Sequence, residues 1–98
     1  MFNILEIVYF IEFFINEIKT HKIEKQNVFK QLIRIFAEIT LIKPDYEECS
    51  NIDLFIDTVN KCSLKMYDIV KKYENDSNYN FIKELEKIKY EIHHLIYL

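Results

Sequence analysis

The sequence predicts an all-α protein, an antiparallel four-helix bundle forming a single domain over residues 1–98, and three observations carry that expectation. Apolar residues recur at helical spacing in four stretches, at about 3–20, 25–42, 51–73 and 80–97. The chain contains no glycine, and its one proline, Pro44, falls between two of these stretches. The joining segments are short and polar, and amphipathic helices joined in that way pack as antiparallel neighbours.

The first stretch holds the run LEIVYFIEFFI, residues 5–15, in which only Glu6 and Glu12 are charged. A membrane-spanning helix needs about 20 apolar residues, and Asn3, Glu6, Glu12, Asn16 and Glu17 break this one. A secretory signal carries positive charge ahead of its apolar core, whereas the first basic residue here is Lys19. Ile, Val, Tyr and Phe favour strands, yet Ile4 to Lys19 is long for a strand, and Asn3 with Glu6 has capping-box spacing. The run therefore reads as helix. Ile4, Ile7, Val8, Phe10, Ile11, Phe14, Ile15 and Ile18 share one face, and Leu5, Tyr9 and Phe13 form a second apolar stripe within the polar face. Two stripes imply either a central helix buried on both sides or a surface that meets another protein.

The second helix places Val28, Phe29, Leu32, Ile33, Ile35, Phe36, Ile39 and Ile42 inward, with Lys30, Arg34 and Glu38 on the wet side at i, i+4 spacing. Pro44 ends it, since the residue before proline avoids the α region. In the connection PDYEECSN, Ser50 with Asp53 has the spacing of a helix-starting box. The third helix then runs from Asn51 to Tyr73, with Ile52, Phe55, Ile56, Val59, Cys62, Met66, Ile69, Val70 and Tyr73 inward. Leu54 and Leu64 fall outside that stripe. ENDSNYN, residues 74–80, is rich in turn formers. Phe81, Ile82, Leu85, Ile88, Ile92, Leu95 and Ile96 line the fourth helix.

The composition narrows the chemistry. A net charge of −3 provides no strongly basic face for nucleic acid, and a glycine-free chain cannot build a Walker loop or a dinucleotide-binding turn. Cys49 and Cys62 form no CxxC pair and are expected to be reduced thiols in the cytoplasm. His93 and His94 are adjacent and project about 100° apart on a helix. Glu91 with His94 is the only Glu-x-x-His pair, whereas a bundle dimetal site uses two. Ser50, Ser63 and Ser77 lack a nucleophile elbow. The expectation is a non-enzyme with no metal, no cofactor and no membrane segment. Heavy use of Ile, Asn and Lys, with Arg34 the only arginine, points to an AT-rich gene.

Three surfaces stand out. From Pro44 to Asn60 the chain carries Asp45, Glu47, Glu48, Asp53 and Asp57 and no Lys or Arg. Some of this charge suits a helix N-terminus, and the run also reads as a docking surface for a basic protein, with Tyr46 as an aromatic anchor. The outer side of the last helix gathers Tyr90, His93, His94 and Tyr97 beside Lys83 and Glu86. The third surface is the Leu5, Tyr9, Phe13 stripe.

In size, helical content and the acidic segment PDYEECSNIDLFID, the chain resembles the small α-helical immunity proteins that protect bacteria from their own nuclease toxins, as in contact-dependent inhibition systems and nuclease colicins. The resemblance implies tight one-to-one binding of a basic cognate toxin in the cytoplasm, masking its catalytic or substrate-binding surface. Two other roles suit a small helical chain of this composition: a phage- or virus-encoded protein that engages a host factor, and a homodimeric structural module that pairs through Leu5, Tyr9 and Phe13.

Overall fold

Four helices form in chain order, α1 (Ile4–Thr20), α2 (Lys25–Thr40), α3 (Ile52–Asn75) and α4 (Ile82–His94), and a 3₁₀ turn over Leu95–Tyr97 closes the chain. The computed structural model describes all 98 residues. α1 packs on α2 and α4, and α3 packs on the same two helices, so the four follow one another around a ring that α1 and α4 close. The direction of packing follows from paired residues. Lys19 meets Glu86 and Glu12 meets Lys89, so α1 descends as α4 rises. The four helices thus make an antiparallel bundle 43 Å long.

The start of α1 follows the expected box. The Asn3 side chain accepts the Glu6 N–H at 2.9 Å, and the Glu6 carboxylate accepts the Asn3 N–H at 3.1 Å. α3 begins one residue later than the Ser50–Asp53 spacing suggests. Asn51 is its cap and accepts the Leu54 N–H at 3.1 Å. The reason lies at the other end of the chain: the Leu98 carbonyl oxygen accepts the N–H groups of Ser50 and Asn51, at 2.6 and 3.1 Å. Ser50 is thereby held outside the helix.

Helix ends show how a chain without glycine stops. Glycine is common past a helix end because it accepts the left-handed region, yet no residue here has positive φ. α1 and α3 instead break straight into extended backbone at His21 and Asp76. α2 ends at Thr40, earlier than Pro44 alone requires. Its last turn tightens as Leu41 and Ile42 donate to Glu38 and Ile39.

Twenty hydrophobic residues form one core, led by Ile7, Ile11, Leu32, Ile39, Met66 and Ile88. Three residues expected inside, Ile33, Ile56 and Ile96, are exposed. Ile33 and Ile56 sit at the margins of their stripes, whereas Ile96 falls in the 3₁₀ turn beyond the end of α4, where α-helical spacing no longer holds. Glu38 departs the other way. Expected on the wet side, it is 7% exposed and the only buried charged residue. Successive i, i+4 positions drift about 40° around a helix of 3.6 residues per turn, so a row that is wet at Lys30 reaches the core boundary by Glu38.

Candidate functional site

The pole of the bundle where α1 begins, α2 ends and α3 begins also holds the last residues of the chain. An open groove of ≈ 690 Å³ lies there, and 11 of its 15 lining residues are hydrophobic. Phe2 and Leu5 contribute one side, Ile42 and Cys49 come from the α2–α3 connection, and Ile96 and Leu98 close the third side. Asp45, Glu48 and Lys43 are its charged lining residues.

The connection that forms one edge is a compact turn. Asp45 is its pivot. Its carbonyl accepts the N–H groups of Glu48 and Cys49, at 3.2 and 2.8 Å, and its carboxylate accepts the Glu47 N–H at 3.0 Å. Buried Pro44 precedes it, so the carboxylates of Glu47 and Glu48 and the ring of Tyr46 are turned outward, with Tyr46 65% exposed.

The residues expected to meet a basic partner divide into two groups. Asp45, Tyr46, Glu47 and Glu48 share the turn, whereas Asp53 and Asp57 lie one helical turn apart on the exposed side of α3. Asp57 differs from the others because it pairs with Lys61 at 3.0 Å. Asp45, Glu47, Glu48 and Asp53 have no ion pair, although seven pairs occupy the rest of the surface and the helix flanks.

Leu5, Tyr9 and Phe13 are 41%, 61% and 64% exposed. α1 is therefore one member of the ring rather than a central helix covered on both sides, and its second stripe faces solvent. Leu5 also lines the groove, so the two apolar surfaces are continuous at that residue. On α4 the His94 ring lies between Tyr90 and Tyr97, with ring centroids 5.2 and 5.7 Å away. No three His, Cys, Asp or Glu side chains stand together in a way that could hold a metal ion. No helix is long and apolar enough to cross a membrane.

Two side-chain groups were not foreseen from the sequence. The Glu38 carboxylate accepts the Phe2 N–H at 2.8 Å and the Arg34 Nε–H at 3.2 Å, and the Arg34 guanidinium lies 4.9 Å from the centre of the Phe2 ring. The Phe2 N–H, with help from Arg34, holds the Glu38 carboxyl below its usual range against the opposing effect of burial. The i, i+4 spacing of Arg34 and Glu38 was visible; the arrival of Phe2 was not. Between α3 and α4, the Cys62 thiol donates to Glu91 at 3.2 Å and Lys65 donates to the same carboxylate at 2.8 Å. Burial, and then the Glu91 carboxylate, push the Cys62 thiol up to about 12. This thiol is a packed, inert donor at neutral pH. Burial raises Glu91, but the hydrogen bonds from Lys65 and Cys62 outweigh it and its carboxyl ends below the usual range.

No family model, curated protein or solved structure matches this chain.

Proposed function

We propose that this protein is a stoichiometric binding inhibitor, an immunity-type protein that neutralises a basic toxin by covering its catalytic or substrate-binding surface. One observation carries the reading: Asp45, Glu47, Glu48 and Asp53 have no ion pair within the chain, and Asp45 and Glu48 line an open apolar groove. Unpartnered surface charge of one sign speeds the encounter with an opposite charge and fixes its register, while the adjoining apolar surface supplies the affinity. The site of action under this reading is the cytoplasm of a bacterial cell, where the nuclease class of toxin finds its nucleic acid.

Capture from the native host, followed by the mass of the complex, tests the proposal. One basic protein held at one-to-one stoichiometry is the expected result. The triple charge reversal Asp45→Lys, Glu47→Lys and Glu48→Lys should then weaken binding at least about tenfold at low salt and flatten its salt dependence. Unchanged affinity in that variant would remove the acidic turn from the interface.

The exposure of Tyr9 and Phe13 supports a second reading, a homodimeric module. Under it, Tyr9→Asp with Phe13→Asp converts a dimer into a folded monomer in sedimentation. A wild-type chain that sediments as a monomer at high concentration would end this alternative.

A further inference from the structure

The apolar groove and the acidic turn beside it form one continuous feature, and together they specify what can occupy it. Its volume lies in the range of pockets that hold compact ligands. The walls offer aliphatic and aromatic groups, and Asp45 and Glu48 stand in the lining without an ion pair to any Lys or Arg of the chain. A fatty acid or an anionic lipid would bring its head group against those two carboxylates. A neutral apolar residue would leave them unmatched. An apolar side chain adjoining a Lys or Arg satisfies both parts of the groove at once, because burial of the apolar part excludes water from the neighbouring charge pair and strengthens it.

We infer that the groove between Phe2, Cys49 and Leu98 is the anchoring pocket for a short apolar segment flanked by a basic residue on the partner protein. The inference rests on the protein-binding reading and adds which part of the partner enters first. Lys43 is the one basic side chain in the lining, and it forms no ion pair with Asp45 or Glu48. Leu5 joins the groove to Tyr9 and Phe13, so a partner helix seated by its anchor can continue along α1.

Cys49 makes the pocket addressable without knowing the partner. It is half-buried in the groove wall, whereas Cys62 is fully buried and its thiol is held protonated by burial and Glu91. In the test, the folded protein is equilibrated with small symmetric disulfides bearing phenyl with ammonium, phenyl with carboxylate, phenyl alone or ammonium alone. Rising mercaptoethanol is then added. The Cys49 thiolate attacks one sulfur of the probe and the other half leaves as a thiolate, so intact mass reads a single mixed disulfide. Cys49→Ser is the control for site.

The phenyl–ammonium probe should resist about tenfold more reductant than the phenyl–carboxylate probe, and more than either single-feature probe. Asp45→Asn with Glu48→Gln should collapse the charge preference and leave the phenyl preference. Equal retention of ammonium and carboxylate probes, a preference that survives neutralisation, or no capture at Cys49 at all would each overturn the inference. The triple charge reversal shares Asp45 and Glu48 with this test, so the single reversal Glu47→Lys, outside the groove lining, probes the acidic surface separately. Loss of partner binding on charge reversal with no probe preference would leave the acidic surface standing and remove the groove. A probe preference with partner binding unchanged by the triple reversal would show that the partner does not anchor in this groove and would overturn the inference.

Discussion

The Glu38 carboxylate and the Phe2 backbone N–H, 36 residues apart in sequence, meet at 2.8 Å. Arg34 completes the circuit, bonded to Glu38 through Nε and lying over the Phe2 ring, while Phe10 packs against the same Phe2 ring with centroids 5.5 Å apart. The entry of α1 is therefore fastened to the exit of α2 by a charge-assisted bond, a cation–π contact and an aromatic pair. Glu38→Ala removes the acceptor and leaves the Phe2 N–H and Arg34 without it, which should cost about 1–3 kcal/mol in denaturant unfolding. A loss below about 0.3 kcal/mol would show that the entry of α1 is held by packing alone.

The same group makes stability depend on acid. Its folded carboxyl titrates below the ordinary value of 4.5, so the folded state binds fewer protons than the unfolded one in that window. The contribution is present above about pH 4.5 and is lost as pH falls through the depressed value. Glu38→Gln keeps an acceptor but has no charge to lose. Its melting temperature should lie below wild type near neutral pH, and the gap should close on acidification. A gap of constant size from neutral to acid pH would refute this assignment.

The two cysteines should separate cleanly in an alkylation time course. At neutral pH one equivalent of iodoacetamide reacts at Cys49, and Cys62 reacts only when the bundle opens. Because the Cys62 thiol titrates at about 12 when folded rather than at the ordinary 9.0, its contribution is complete below pH 9 and declines as pH rises from there toward 12. Rapid modification of both thiols in the folded protein would contradict the buried Cys62–Glu91 contact.

The cap of α3 offers a sharper discrimination between adjacent residues. Asn51→Ala should cost about 1 kcal/mol, the value of a lost N-cap bond. Ser50→Ala keeps the backbone bond to Leu98 and should cost less than about 0.5 kcal/mol. The opposite ranking in thermal melts would move the cap to Ser50.

Core and surface positions of α1 differ as strongly. Ile11→Ala empties a fully buried site and should cost about 2–5 kcal/mol. Phe13→Ser, on the same helix but 64% exposed, should change stability by about 0.5 kcal/mol or less. A large loss at Phe13 in dilute solution would place that ring in a contact the isolated chain does not have.

Periodicity made the helices legible because every core position is a repeated local choice: Ile7, Ile11, Phe14 and Ile15 mark the inner face before any partner helix is known. Boundaries were less legible where distant groups compete for the same backbone. Ser50 and Asn51 are equally good caps in isolation, and only the Leu98 carbonyl separates them. The buried state of Glu38 depends on Phe2 returning to it, a contact across two helices that no spacing within α2 encodes. For the surfaces, the acidic run from Asp45 was visible as composition, and Asp57 and Lys61 stand at i, i+4 spacing just past its end, but the compact turn that sets Asp45, Tyr46, Glu47 and Glu48 apart from α3 was not. The groove was invisible altogether, since its walls come from three separated parts of the chain.

The bonds of Phe2 to Glu38 and of Ser50 and Asn51 to Leu98 draw Met1 and Leu98 to the same pole. A purification tag or reporter joined at either residue would therefore stand at the mouth of the groove and compete with whatever docks there. Surface immobilisation through such a tag would present the wrong end of the bundle. The turn around Ser77 and Asn78, at the opposite pole, is the attachment point that leaves the acidic turn and its groove facing the solution.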